Sequence, residues 1–225
     1  MYMTNEAPGL GALKICVYGE SGVGKTKLIS TLPEHWRILF IDLERKTGVL
    51  AKAKQAITRL QFSSYKDLVE SLPKIVELSR DYDAIVVDSL SDMRNWLYNS
   101  AKKTLSQGKE VILDKHELQI WGFAANKIGD FIDELKMVDK PIIFLARQTI
   151  DANLRSVVDL GNKLVNDIPA KLDTVFPLVK NGQGKRAIII NNDKFFTRLH
   201  DEEDFMERFP EGIAPANLSE IFNLV

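Results

Sequence analysis

Gly19-Glu20-Ser21-Gly22-Val23-Gly24-Lys25-Thr26 has the spacing G-x-x-x-x-G-K-[ST], the pattern of a phosphate-binding P-loop. Before it, Leu13-Lys14-Ile15-Cys16-Val17-Tyr18 is a short apolar run that predicts a buried strand. After it, Lys27-Leu28-Ile29-Ser30-Thr31-Leu32 predicts a helix that Pro33 stops. Strand, glycine loop and helix in that order give a short pattern chemical meaning. The glycines let successive backbone N–H groups turn inward on a phosphate, and the helix N-terminus adds a partial positive charge. Gly19, Glu20, Ser21, Gly22, Val23, Gly24, Lys25, Thr26 and Lys27 are therefore the candidate nucleotide-binding residues. Lys25 would reach the β- and γ-phosphates, and the Thr26 hydroxyl would hold Mg²⁺.

Outward from the loop, apolar runs alternate with helical patterns. Arg37-Ile38-Leu39-Phe40-Ile41-Asp42 predicts a second strand, running into Leu43-Glu44, with a helical region expected around Val49 to Thr58. Tyr65 to Arg80 has apolar residues at helical spacing, with a kink expected at Pro73. Tyr82-Asp83-Ala84-Ile85-Val86-Val87-Asp88-Ser89 reads as a central strand covered on both faces. Asp92 to Leu105 and His116 to Val138 read as helices, and Pro141 to Ala146 as another buried strand followed by Arg147-Gln148-Thr149. Thr174 to Lys180 and Arg186 to Asn191 read as strands joined by the turn Asn181-Gly182-Gln183-Gly184. The acidic stretch Asp201 to Asp204 leads into a tail with at most one short helix, near Ser219 to Leu224. The expected fold class is α/β in three layers: a mostly parallel central sheet flanked by helices and extended by a C-terminal β-hairpin. Residues 1–11 read as a flexible polar arm and residues 12–225 as a single domain.

Composition sets outer limits. Of 225 residues 45% are hydrophobic, enough for a real core, and 30 Lys plus Arg against 31 Asp plus Glu argue against a histone-like nucleic-acid binder. A local basic loop remains compatible with that balance. The single cysteine, Cys16, forms no internal disulfide, reads as a small buried hydrophobe, and points to a reducing cytoplasm. No signal-peptide pattern and no bilayer-length apolar run are seen, so a soluble cytoplasmic protein is expected.

Three residues at strand ends narrow the chemistry, on the edge where α/β sheets place ligands. Asp88 could hold the water shell of Mg²⁺ beside Thr26, or simply cap the next helix. Glu44, expected on a strand beside the P-loop strand, could polarise a water in line with the γ-phosphate; as part of Glu44-Arg45-Lys46 it also suits a solvated face. Gln148 could sense the γ-phosphate with its amide, or be an ordinary polar loop residue. Asn126-Lys127-Ile128-Gly129-Asp130 imitates the guanine-reading Asn-Lys-x-Asp but is one residue too long and lies in a helical pattern. ATP is the nucleotide expected. Trp121, in the same pattern, reads as core.

The P-loop followed by Phe40-Ile41-Asp42-Leu43-Glu44, Ile85-Val86-Val87-Asp88-Ser89 and Phe144-Leu145-Ala146-Arg147-Gln148 resembles the RecA-type ATPase core over roughly residues 12–200. The resemblance is greatest to the short, core-only bacteriophage ATPases of that class, also grouped as phage nucleotide-binding or AAA-family proteins. It implies that Glu44, Lys25 and Gln148 are catalytic, that Thr26 and Asp88 hold the metal, and that ATP is hydrolysed with Mg²⁺ as cofactor. It also implies a homo-oligomer whose neighbour supplies cations from the terminal hairpin, among Lys185, Arg186, Lys194 and Arg198, with Lys194 and Arg198 favoured. Thr149 to Asn162 would then be a flexible loop toward single-stranded DNA, with Arg155 and Lys163 on its phosphates and a single-strand-binding protein as partner. The RecA pattern carries Asn-Gln where this chain has Arg147-Gln148, and its basic character is missing; both bear on DNA handling. Phage DNA recombination or single-strand annealing is the function implied. The rivals are a nucleotide-dependent switch and a small-molecule kinase, the latter kept open by Arg94 and Arg147.

Overall fold

The computed structural model describes residues 13–45, 48–106, 113–160 and 168–224. The N-terminal arm and Lys163 lie outside the described residues. The strands are β1 (Lys14–Gly19), β2 (Arg37–Asp42), β3 (Ala56–Gln61), β4 (Ala84–Asp88), β5 (Ile142–Ile150), β6 (Ser156–Val158), β7 (Thr174–Lys180), β8 (Arg186–Ile189) and β9 (Ile213–Pro215). Among the described residues they form a nine-stranded sheet in the order β3-β2-β4-β5-β1-β7-β8-β9, with β6 paired to β5. Every neighbour from β3 to β7 is parallel, and β8 and β9 add antiparallel strands at the far side. The α/β architecture and the terminal hairpin expected from the sequence are the ones observed.

Alternation along the strands explains the layers, because successive side chains in a strand point to opposite faces. Cys16, Tyr18, Leu39, Ile41, Ile85, Val87, Ile142 and Phe144 join one buried cluster, with α2 (Tyr65–Glu70), α3 (Leu72–Leu78), α4 (Leu90–Ser106) and α5 (Leu113–Lys136) over it. Ile15, Val17, Ile38, Phe40, Val86, Ile143 and Leu145 join the other cluster. The short α1 (Lys25–Leu28), α6 (Glu202–Arg208) and α7 (Leu218–Ile221) cover that second face. Burying a side chain such as Phe144 contributes about 1.5–3 kcal/mol, so the two faces supply most of the driving force. Cys16 is fully buried, and that burial pushes its thiol up to about 12, so it packs as a hydrophobe.

Four local expectations need correction. Residues 49–54 form turns and Ala56–Gln61 a parallel edge strand, in place of a helix over Val49 to Thr58. The strand is half-exposed at the rim, so its Ile57 and Leu60 carry too faint an alternation to separate it from a helix. Pro73 does not kink one helix but opens a second, because a residue without N–H fits a first turn. The stretch after Gln148 continues as strand to Ile150 and folds back as β6, so its described part is a hairpin rather than a flexible loop. The acidic stretch at Asp201 starts a helix that the tail was not expected to hold, with the Asp201 carboxylate accepting from Asp204 N–H at 3.0 Å. Among the described residues no helix is long and apolar enough to cross a membrane.

Candidate nucleotide site

The parallel strands β1, β2, β4 and β5 all end at one edge, bringing Gly19, Asp42, Asp88 and Arg147 into line. There a cleft of about 260 Å³ is lined by Ser21, Gly22, Gly24, Lys25, Thr26, Lys27, Glu44, Val49, Asp88, Ser89, Arg147 and Arg186. A larger groove of about 540 Å³ lies between α2, α3 and α5, floored by Val69, Leu72 and Phe131 and holding none of these strand-end residues.

The P-loop closes on itself in a way its sequence demands. At Gly19 β7 passes close by: a Cβ there would stand 2.4 Å from the Leu178 carbonyl oxygen. Gly24 has φ of 106°, a left-handed value that other residues rarely adopt. The Lys25 ammonium donates to the carbonyls of Gly19 and Glu20, each at 2.9 Å, and so spans the mouth of the loop. The following helix is short, four residues extended by a 3₁₀ turn over Ile29–Thr31.

The Thr26 hydroxyl donates to Asp88 Oδ2 at 2.7 Å, which joins the loop to the end of β4. Asp88 is buried, 5% exposed, and burial pushes its carboxyl up to about 6. The Thr26 hydrogen bond and Lys25 pull down, and the Glu44 and Asp42 charges push up. A hydroxyl and a carboxylate are hard oxygen donors that fit Mg²⁺, which completes its shell with water and phosphate oxygens. Among the described residues no group of three or more His, Cys, Asp or Glu could hold a metal ion. A metal held beside a nucleotide here would meet Thr26 and Asp88 on the protein side.

Glu44 reaches the cleft by a route the sequence did not suggest. Its strand β2 does not neighbour β1; β4 and β5 lie between them. Instead the chain leaves Asp42 in a tight turn over the end of β4. The N–H groups of Leu43 and Glu44 both donate to the Asp88 carbonyl, at 2.7 and 3.1 Å. Asp42, 1% exposed, anchors the turn by accepting from Arg45 N–H at 2.8 Å, from Gln61 Nε2 at 2.8 Å and from the Arg59 guanidinium. Arg45 takes a left-handed φ of 57° to complete it. Glu44 faces Arg147 Nη2 at 3.9 Å, while the same guanidinium pairs closely with Asp92 at the start of α4.

The other candidates separate. Gln148 sits beside the P-loop, its Nε2 donating to Glu20 Oε1 at 3.4 Å. Arg155 is held by Asp151 within its own hairpin, at 3.3 Å, and lies over the Phe196 ring at 5.5 Å. Lys194 and Arg198 are exposed and do not line the cleft, and the Arg198 backbone pairs with Val175. Arg186, considered for a neighbour's site, stands in the cleft of its own chain, with Nε donating to the Val23 carbonyl at 2.6 Å. The loop imitating a guanine reader is helical, inside α5. Trp121 is half-buried against Tyr98, with ring centroids 4.8 Å apart, and under Arg94 at 5.7 Å. Sequence reasoning missed that Arg147 would join Asp92 and Glu44; the one signal was the arginine standing where an asparagine was expected.

No curated protein matches this chain. Among solved structures it is similar to a KaiC-like protein from the hyperthermophilic archaeon Pyrococcus horikoshii OT3, at 12% identity and a TM-score of 0.48, over 80% of this chain and 78% of that one. A family profile described as an AAA domain matches residues 12–198, the span that holds the P-loop, the Asp42–Glu44 turn, Asp88 and both cleft arginines. The chain belongs to the AAA domain family.

Proposed function

We propose that this protein is a Mg²⁺-dependent ATPase. The observation that supports the reading is the Thr26–Asp88 hydrogen bond of 2.7 Å, which joins a hydroxyl and a carboxylate, both suited to Mg²⁺, at the foot of a complete P-loop. Backbone N–H groups of the loop and Lys25 would hold the β- and γ-phosphates. Bound Mg²⁺ would neutralise charge on the β- and γ-oxygens. Glu44, on the same cleft and tied by its N–H to Asp88, would orient the attacking water in line with the γ-phosphate and take its proton. Gln148, reaching the P-loop at Glu20, would report the γ-phosphate to the β5–β6 hairpin.

The sequence resemblance extends the reading to phage DNA recombination or single-strand annealing. Single-stranded DNA would then lie near Arg155 and Lys163, a single-strand-binding protein would be the partner, and Lys194 and Arg198 would serve a neighbouring subunit in a homo-oligomer. Against a kinase stands the engagement of Arg94 with Asp159 and of Arg147 with Asp92, which leaves neither as a free lid arginine. A nucleotide-dependent switch is favoured by one observation, the Arg147–Glu44 contact of 3.9 Å, which would restrain the general base. Phosphate release by the full chain, with and without single-stranded DNA, separates these readings. Turnover raised by DNA supports the recombination ATPase, phosphate transfer to a small acceptor supports the kinase, and tight ATP binding without turnover supports the switch. Absence of ATP binding would refute the nucleotide site itself.

A further inference from the structure

We propose that Arg186 is a nucleotide ligand supplied by the same chain, contacting the inner, α- and β-phosphates; this rests on the ATP reading above. Arg186 opens β8, and the β7–β8 hairpin carries it back over the P-loop because β7 lies directly beside β1. Its Nε is spent on the Val23 carbonyl at 2.6 Å. The guanidinium rests on the bare α-carbon of Gly24, where a Cβ would stand 2.5 Å from Nε and 3.2 Å from Nη2. Gly24 thus has a second reason to lack a side chain, besides its backbone angle.

Among the described residues the charge on this arginine is unanswered. Arg147 faces Asp92 and Glu44, but among the described residues no carboxylate pairs with Arg186, which donates instead to the neutral Val23 carbonyl. A half-buried cation whose described partner is a carbonyl dipole, on the wall of the P-loop cleft, suits an anion. The planar fork keeps its Nη groups for phosphate oxygens once Nε is occupied. The same contact also sets the loop. In a planar trans peptide the Val23 C=O and the Gly24 N–H point in opposite directions, so drawing the carbonyl outward turns the N–H the other way. Position along the nucleotide follows from the sheet. Gln148 and Glu44 enter from the β5 and β4 side of β1, the side given to the γ-phosphate, and Arg186 enters from the opposite, β7 side.

The test is titration of the full chain with Mg·ATP and Mg·ADP, alongside Arg186→Met, Arg186→Lys and Lys25→Ala. Arg186→Met keeps the aliphatic stem over Gly24 and removes only the charge. It should weaken ATP and ADP in parallel by about 10- to 100-fold. Arg186→Lys should recover part of the affinity. Mixing Arg186→Met with Lys25→Ala chains should restore nothing. Unchanged affinity in Arg186→Met, restoration on mixing, or a collapse of turnover with affinity intact would each overturn the inference. Failure of the unmodified chain to bind ATP would overturn the ATP reading and this inference together. If Arg186→Met does not fold, Arg186→Lys decides: a parallel drop for both nucleotides supports the assignment, and none refutes it.

Discussion

Asp88→Asn keeps the size of the side chain and an oxygen to accept from Thr26, and removes only the charge. In the fold that charge is costly. Burial, helped by Glu44, raises the Asp88 carboxyl from its ordinary 3.8 to about 6, against the opposing pull of Thr26 and Lys25. Each pH unit between the two values is worth about 1.4 kcal/mol, so ionised Asp88 destabilises the metal-free protein by on the order of 3 kcal/mol at neutral pH. The sign follows from proton counts. Between about pH 4 and pH 6 the native state holds more protons than the unfolded chain, so stability from this group falls as pH rises through that window and is level above it. Asn loses nothing there. In EDTA at pH 7.5 the variant should unfold roughly 6–12 °C higher than the unmodified chain, as scaled for a protein of this size. The gap should close toward pH 4. With Mg·ATP the order should invert, because ligand stabilisation acts only on the chain that keeps its carboxylate. Calorimetric unfolding over pH, in EDTA and in Mg·ATP, checks all three. A variant no more stable in EDTA, or a gap that ignores pH, would refute the reasoning.

Three further outcomes are expected. Glu44→Gln should bind ATP as before and lose about 10²- to 10⁴-fold in turnover, the contribution of a placed general base, measured by single-turnover phosphate release. Tyr18→Phe removes a buried hydroxyl that lies 2.9 Å from the Ser156 carbonyl and 2.8 Å from that of Phe196. It should cost about 1–3 kcal/mol in urea unfolding, with hydrogen exchange rising first in β6. Gly24→Ala forces a side chain into a left-handed backbone and against Arg186, so stability should fall by at least about 1–2 kcal/mol, with ATP affinity lost in parallel. Equal ATP affinity in that variant would show that the loop tolerates a Cβ.

Central elements were legible because burial on both sides leaves a continuous apolar run. Apolar runs bound β2 and β7 as observed and β4 to within three residues. The rim was not. β3 pairs on one side only, and its exposed positions dilute the pattern that marks a strand. For the site, P-loop spacing is local and readable, and so is an acid after an apolar run. Contacts across the sheet depend on strand order, which a linear chain does not display. Gly19 and Arg147 are neighbours in register although far apart in sequence. Arg186 is brought onto Val23 by a hairpin whose direction of approach is a tertiary fact. Glu44 lines the cleft by a path that strand order hides, since it arrives over β4 rather than from a strand beside β1.

The turn that carries Glu44 has a thermodynamic consequence of its own. Asp42, Arg45 and the Asp88 carbonyl fix the backbone on both sides of Glu44, and they do so with groups that belong to the folded chain rather than to any ligand. Conformational freedom in this segment, about 1–2 kcal/mol per ordered residue, is therefore given up during folding. On the proposed reading, ATP binding would not have to order it again. On the proposed ATPase reading, affinity for ATP and readiness for water attack would become separable quantities, one set by the P-loop and the other by a turn built around a buried aspartate.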